Sequence, residues 1–236
     1  MRYRLGVEDM EPGHWIAWVF ELPGCYSTGK TRAEAISQAG ASIASYRHWL
    51  GQRCPDRAFE DPYIDVHVAE VYEAVQTEPD YLANAFFEDD RNLLTEGHIE
   101  AARCLLDSTR EDLLALISRI PLAKRAETIS EEKFVSIDGI LRHVGGAEWW
   151  YLDRLGLAFP RNEVPDEPLE RLEKVRTHLL ACLPNLVGDE RITHPNGEGW
   201  SARKLIRRTL WHERDHTQHI AKLAQTTSEV SKTSEV

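Results

Sequence analysis

Residues 201–223 read SARKLIRRTLWHERDHTQHIAKL. At about 100° per residue, Leu205, Thr209, His212, His216, Ile220 and Leu223 fall on one narrow stripe of a helix, with His219 at its edge. Arg203, Lys204, Arg207, Arg214, Asp215 and Lys222 point the other way, which predicts a solvated charged face. Ser201 is a good N-cap for this helix. An apolar stripe needs partners, and the preceding residues supply three. One helix uses Ile99, Ala102, Leu105, Leu106, Leu113, Leu116, Ile117 and Ile120 and stops at Pro121. A second starts near Ser130 or Glu131 and runs to Leu155, with Gly156 as its stop. A third runs from Leu169 through Leu172, Val175 and Leu179 to Leu183, before Pro184. Four amphipathic helices within residues 96–225 predict a four-helix bundle.

The histidines of the last helix face the interior of that bundle. A buried imidazole without a partner costs roughly 1–3 kcal/mol. A lone inward histidine is most simply a hydrogen-bonded core residue. Two at i and i+4 project side by side from successive turns, and one metal ion can bridge them. His212 and His219 start about 10 Å apart along the axis, so the helix cannot complete a site alone. His143, at the rim of the second helix's apolar stripe, offers the missing ligand. Gly145 and Gly146 beside it leave room for a ligand or for close helix packing. The spacing thus predicts a divalent metal ion held by His143, His212 and His216.

The letters His212-Glu213-Arg214-Asp215-His216 also match HExxH, the zinc-protease signature. The extended protease pattern wants Gly at position 219 and His at position 222, where this chain has His219 and Lys222. A downstream glutamate ligand is missing too, since Glu229 and Glu235 lie in a low-complexity tail. The protease reading is therefore set aside.

Residues 1–75 have a different pattern. Tyr3, Leu5 and Val7 alternate, a turn follows at Glu11-Pro12-Gly13, and Trp15 to Phe20 is aromatic and β-branched. Leu22-Pro23-Gly24-Cys25 ends that strand. Thr31 caps a helix with Glu34 at the capping-box position, running to about Leu50. Tyr63 to Val75 suits a third strand. The expectation is an α+β chain: a small ββαβ domain, a linker over 76–95, the helical bundle over 96–225, and a disordered tail over 226–236.

The formal net charge of −11, with 28% charged residues, argues against nucleic acid and against an anionic membrane surface. No apolar run approaches a transmembrane length, and MRYRLGVEDMEPG lacks a signal-peptide core. A cytoplasmic protein is expected. Cys25, Cys54, Cys104 and Cys182 form no CxxC pair and read as four reduced thiols.

His143, followed by the His212/His216 pair with Ile220 and Leu223 beyond it, resembles the DinB/YfiT-like superfamily of four-helix-bundle metalloproteins over roughly residues 90–225. That resemblance implies a zinc or nickel ion and a dimer. Some of its members are S-transferases or isomerases that use a small thiol. His219 stands where the family commonly has Gln, as a fourth nitrogen ligand or as a partner to the ligands. The stretches Trp15 to Cys25 and Gly29 to Ala35 resemble a HicB-type antitoxin domain, read here as a structural or partner-binding module.

Two functions follow. A three-histidine site with an open position would make a metalloenzyme, with Glu213 and Glu148 as candidate bases. A closed site would make a non-catalytic metal-binding or sensing protein. The N-terminal sheet has an apolar face left to cover, so the segment is expected to pack on the bundle or on a second copy, and the protein to be a homodimer.

Overall fold

The computed structural model describes residues 1–11, 13–58, 63–130 and 132–233, with side chains described as far as 225. Strands β1 (Arg2–Glu11), β2 (His14–Val19), β3 (Tyr26–Gly29) and β4 (Asp65–Glu73) form one sheet in the order β3-β2-β1-β4. β1 pairs antiparallel with β2 and parallel with β4. Helix α1 (Arg32–Arg53) makes the crossover between β3 and β4. The segment is βββαβ rather than ββαβ, because the four residues of β3 are too few to show an alternating pattern.

Alternation decides what each face of the sheet meets. Tyr3, Leu5, Val7, Ala17 and Val19 are buried in one core cluster with Ala35, Ala39, Ile43 and Tyr46 of α1. Thr31 Oγ1 accepts from the Glu34 amide, while the Glu34 carboxylate turns back to the Lys30 amide. The opposite face presents Ile16, Trp18 and Phe20, which pack with Ala85, Phe87 and Trp211. Gly6 sits opposite Trp18 in the register. A Cβ there would stand 2.5 Å from the Phe20 ring and 2.9 Å from the Phe87 ring, so only glycine fits.

Residues 76–95, expected as a linker, hold most of a hairpin, β5 (Val75–Glu78) with β6 (Tyr81–Ala83), and a 3-10 turn at Glu88–Arg91. Ala85, Phe87 and Leu94 are buried. The helices that follow are α2 (Glu96–Ile117), the short α3 (Leu122–Ala126), α4 (Ile137–Arg154), α5 (Pro168–Cys182) and α6 (Ala202–Thr233). α4 packs on α5, and α6 packs on both α2 and α4. Leu113, Ile140, Leu141, Val144, Leu172 and Ile220 fill the space between them. Each fully buried aliphatic side chain of this kind contributes roughly 1.5–3 kcal/mol.

Helix boundaries move by a turn or less in most cases. α2 ends at Ile117, three residues before the expected stop, and Gly156 ends α4 with φ 67°. α4 begins at Ile137, with Ser136 Oγ accepting from the Gly139 amide, six residues later than expected. α6 continues to Thr233 where a disordered tail was expected, and 234–236 lie outside the described residues.

The charged face of α6 is not solvated as expected. Lys204 and Arg207 are buried. Lys204 Nζ donates to Glu198 at 2.6 Å, and Arg207 pairs with Asp90 at 2.7 Å. Arg214 lies over the rings of Tyr46 and Trp49, and Asp215 accepts from Tyr26. Asp90, Tyr26, Tyr46 and Trp49 come from far away in sequence and Glu198 from the loop just before α6, outside the helix, so helical periodicity alone placed these charges in water. Two of the four expected free thiols are also paired. A disulfide joins Cys54, at the end of α1, to Cys104 on α2 across 50 residues of sequence. Cys25 and Cys182 are free.

Candidate metal centre

α4 brings His143 to α6, where His212 and His216 stand one turn apart. One ligand atom from each of the three lies within 4.8 Å of the others. His143 Nε2 and His212 Nε2 are 2.9 Å apart. The ring centroids of His212 and His216 are separated by 4.5 Å. Phe134, in the turn before α4, stacks on His143 at 4.1 Å and meets His216 edge-on at 5.6 Å. His212 and His216 are buried, and His143 is half-buried.

Burial governs their charge. Desolvation, reinforced by His216 and Lys133, lowers His143 to about 4. Desolvation, with His219 and Lys133, lowers His216 to about 4. His212 is held well below the usual imidazole range, first by burial and then by its two neighbours and Arg208. All three are neutral at pH 7, the form in which imidazole gives a lone pair to a metal. His216 Nδ1 is buried without a hydrogen-bond partner. Three converging neutral nitrogens, one ring carrying an orphaned polar atom, fit a borderline divalent cation such as zinc or nickel.

His219 stands apart from this cluster. Its Nε2 is 3.0 Å from Glu132, and its ring lies 6.0 Å from that of His216. Glu148 and Glu213, expected as bases, are engaged elsewhere. Arg110 reaches both carboxylates, and so does Arg176. Thr109 adds a hydroxyl hydrogen bond to Glu213. Burial alone would raise Glu213, but Arg176 and Arg110 outweigh it and hold it at about 2. Arg110 Nη1 also donates to the Leu172 carbonyl, and Arg176 Nη1 to that of Leu106, which ties α2 to α5. Neither carboxylate lines the space in front of the histidines.

That space is a cleft of about 1150 Å³ with His143, His212 and His216 in its wall. Trp149, Trp150, Tyr151 and Trp211 contribute aromatic surface. The described residues of its lining include five basic side chains against three acidic ones, the reverse of the whole chain's balance. Phe134, Glu132 and Arg208 were not anticipated from sequence. Arg208 stands four residues before His212, on the same helix face. That spacing is the one signal that marks it.

Three histidines from two neighbouring helices, opening on a cleft, define a helical domain with a cluster that can hold a cation. The family model of the DinB superfamily matches residues 105–220, so the helical part of the chain is similar to that superfamily. The match spans His143, His212, His216 and the buried arginine–glutamate network; it does not reach the N-terminal segment, and no family match supports the HicB-type reading of that segment. Members of the superfamily commonly bind metal. No curated protein and no solved structure matches the chain.

Proposed function

We propose that this protein is a divalent-metal-dependent enzyme of the S-transferase or isomerase type, which handles a small thiol at His143, His212 and His216. The observation that carries the reading is the open cleft in front of the three histidines. A site built only for structure would be closed by a fourth protein ligand, whereas here His219 is turned to Glu132. We further infer that α2, α4, α5 and α6 form the four-helix bundle of the resembling family, and that the protein is a homodimer. A bound zinc or nickel ion would supply a Lewis acid that lowers the pKa of water or of a thiol. The chain's own contributions are positional. Phe134 fixes the His143 ring plane, the neutral histidines present nitrogens rather than protons, and the aromatic wall excludes water from one side of the cleft. Glu148 and Glu213 serve the scaffold in this reading, holding α2, α4, α5 and α6 in register through Arg110 and Arg176.

The test is a screen of the zinc- or nickel-loaded protein with small thiols and electrophilic acceptors, following thiol consumption. Turnover that disappears in His143→Ala supports the reading. Metal-loaded protein that binds no thiol and turns over none would overturn it in favour of a non-catalytic metal-binding protein.

A further inference from the structure

Five lysine and arginine side chains are more than nine-tenths buried among the described residues: Arg110, Arg176, Lys204, Arg207 and Arg208. A buried cation is costly unless it is paired. Arg110 and Arg176 share Glu148 and Glu213, Lys204 has Glu198, and Arg207 has Asp90. Arg208, 6% exposed, has no described carboxylate within salt-bridge range. Its Nη1 has a long contact of 3.4 Å to the Asn84 side-chain oxygen, and its Nε has no acceptor. The nearby acids are committed: Glu8 accepts from Trp18 Nε1 and the Ala85 amide, and Glu198 from Lys204 and Tyr81. What Arg208 does have is a hydrogen bond with the Tyr151 hydroxyl, which is neutral, and rings. Its guanidinium carbon is 4.6 Å from the Trp211 ring centroid and 5.9 Å from that of Tyr151. Such contacts cover the faces of the guanidinium. The ring contacts leave the guanidinium edge, where Nε has no acceptor and the two hydrogen-bond partners are neutral, and that edge is what suits a carboxylate.

Arg208 lines the same cleft as the three histidines, one helical turn from His212. We propose that Arg208 anchors the carboxylate of a small-molecule ligand whose other donor reaches the histidine centre. The ligand therefore carries a metal-binding donor at one end and a carboxylate a few bonds away. The basic excess of the cleft lining draws such an anion into an otherwise acidic protein. The carboxylate completes the missing pair of Arg208, and the rings of Trp211 and Tyr151 hold the guanidinium in place for it. This inference rests on the metal-centre reading and names the ligand class that the site accepts.

The probes are 3-mercaptopropionate and its neutral amide, 3-mercaptopropionamide, titrated into full-length protein loaded with cobalt(II) and followed by the thiolate-to-cobalt absorption band. The acid is expected to bind about tenfold or more tighter than the amide, as one charge-assisted pair allows. In Arg208→Gln that preference falls to near parity while the affinity for the amide stays as it was. Arg208→Lys, which keeps the charge without the planar fork, retains part of the preference. Equal affinities in the wild-type protein, or a preference that survives in Arg208→Gln, would overturn the anchor and leave the metal centre standing. So would a loss of both affinities together in Arg208→Gln, since that is what a purely packing role predicts. A wild-type protein that takes up no cobalt would overturn both readings.

Discussion

Burial keeps the histidine cluster neutral, and this has a consequence for stability. His143 and His216 are lowered to about 4 in the folded chain, against 6.5 for a free imidazole. The unfolded state therefore binds more protons than the folded state between those values, so stability rises with pH across the window. Metal-free protein is expected to hold its full stability above about pH 6.5 and to weaken steadily as the pH falls toward 4. Urea unfolding in chelator at several pH values across that window checks this, and a flat profile would contradict it. The buried quartet of Arg110, Arg176, Glu148 and Glu213 makes a second prediction at this scale. Removing one charge from such a network costs about 3–5 kcal/mol. Glu213→Gln should thus lower the melting temperature by roughly 6–20 °C, with or without metal. A variant of unchanged melting temperature that has lost only turnover would return Glu213 to the role of base.

Among the elements, α4 depends on a glycine in its first turn. A Cβ on Gly139 would stand 1.8 Å from the Phe134 carbonyl oxygen, so Gly139→Ala must displace the turn that lays Phe134 on His143. The expected outcome is a loss of about 1–3 kcal/mol together with weaker metal binding, measured by unfolding and by competition with a chelating dye. Unchanged metal affinity would show that the Phe134 turn is dispensable. Helix α6 shows how far periodicity reaches. Its inward stripe was legible because helical spacing alone sets which residues share a face. Its outer face was misread because Asp90, Tyr46 and Trp49 are brought to it only by the tertiary fold, and Glu198 by the fold-back of the loop before the helix. His143 could be picked out as the polar residue at the rim of an apolar stripe. The engagement of Glu148 and Glu213 could not, since their arginines sit on α2 and α5. β3 escaped notice for a local reason, its length of four residues.

Across the whole molecule, the N-terminal sheet and the helical part share one continuous core. The aromatic strand β2 was expected to need cover from the bundle or from a second copy, and Phe87 and Trp211 of the same chain supply it. The Cys54–Cys104 bridge fastens α1 to α2 across that junction. Closing a loop of this length stabilises the fold by about 4 kcal/mol in the chain-entropy account. Reduction, or the Cys54→Ser/Cys104→Ser double variant, should therefore lower the melting temperature by roughly 8–16 °C without removing the metal. A melting temperature indifferent to reductant would show that the bridge is not formed in solution. The pairing was invisible in the sequence because the two cysteines are 50 residues apart and meet only when α1 docks on α2.

The central claim is that His143, His212 and His216 hold one divalent ion between α4 and α6. Elemental analysis of protein purified without a nickel column, then replenished with zinc and freed of excess, tests it most directly. The account predicts about one ion per chain, as a single mononuclear site requires, and almost none in the His212→Ala/His216→Ala double variant. A wild-type protein that retains no metal, or a double variant that retains it in full, would contradict the account.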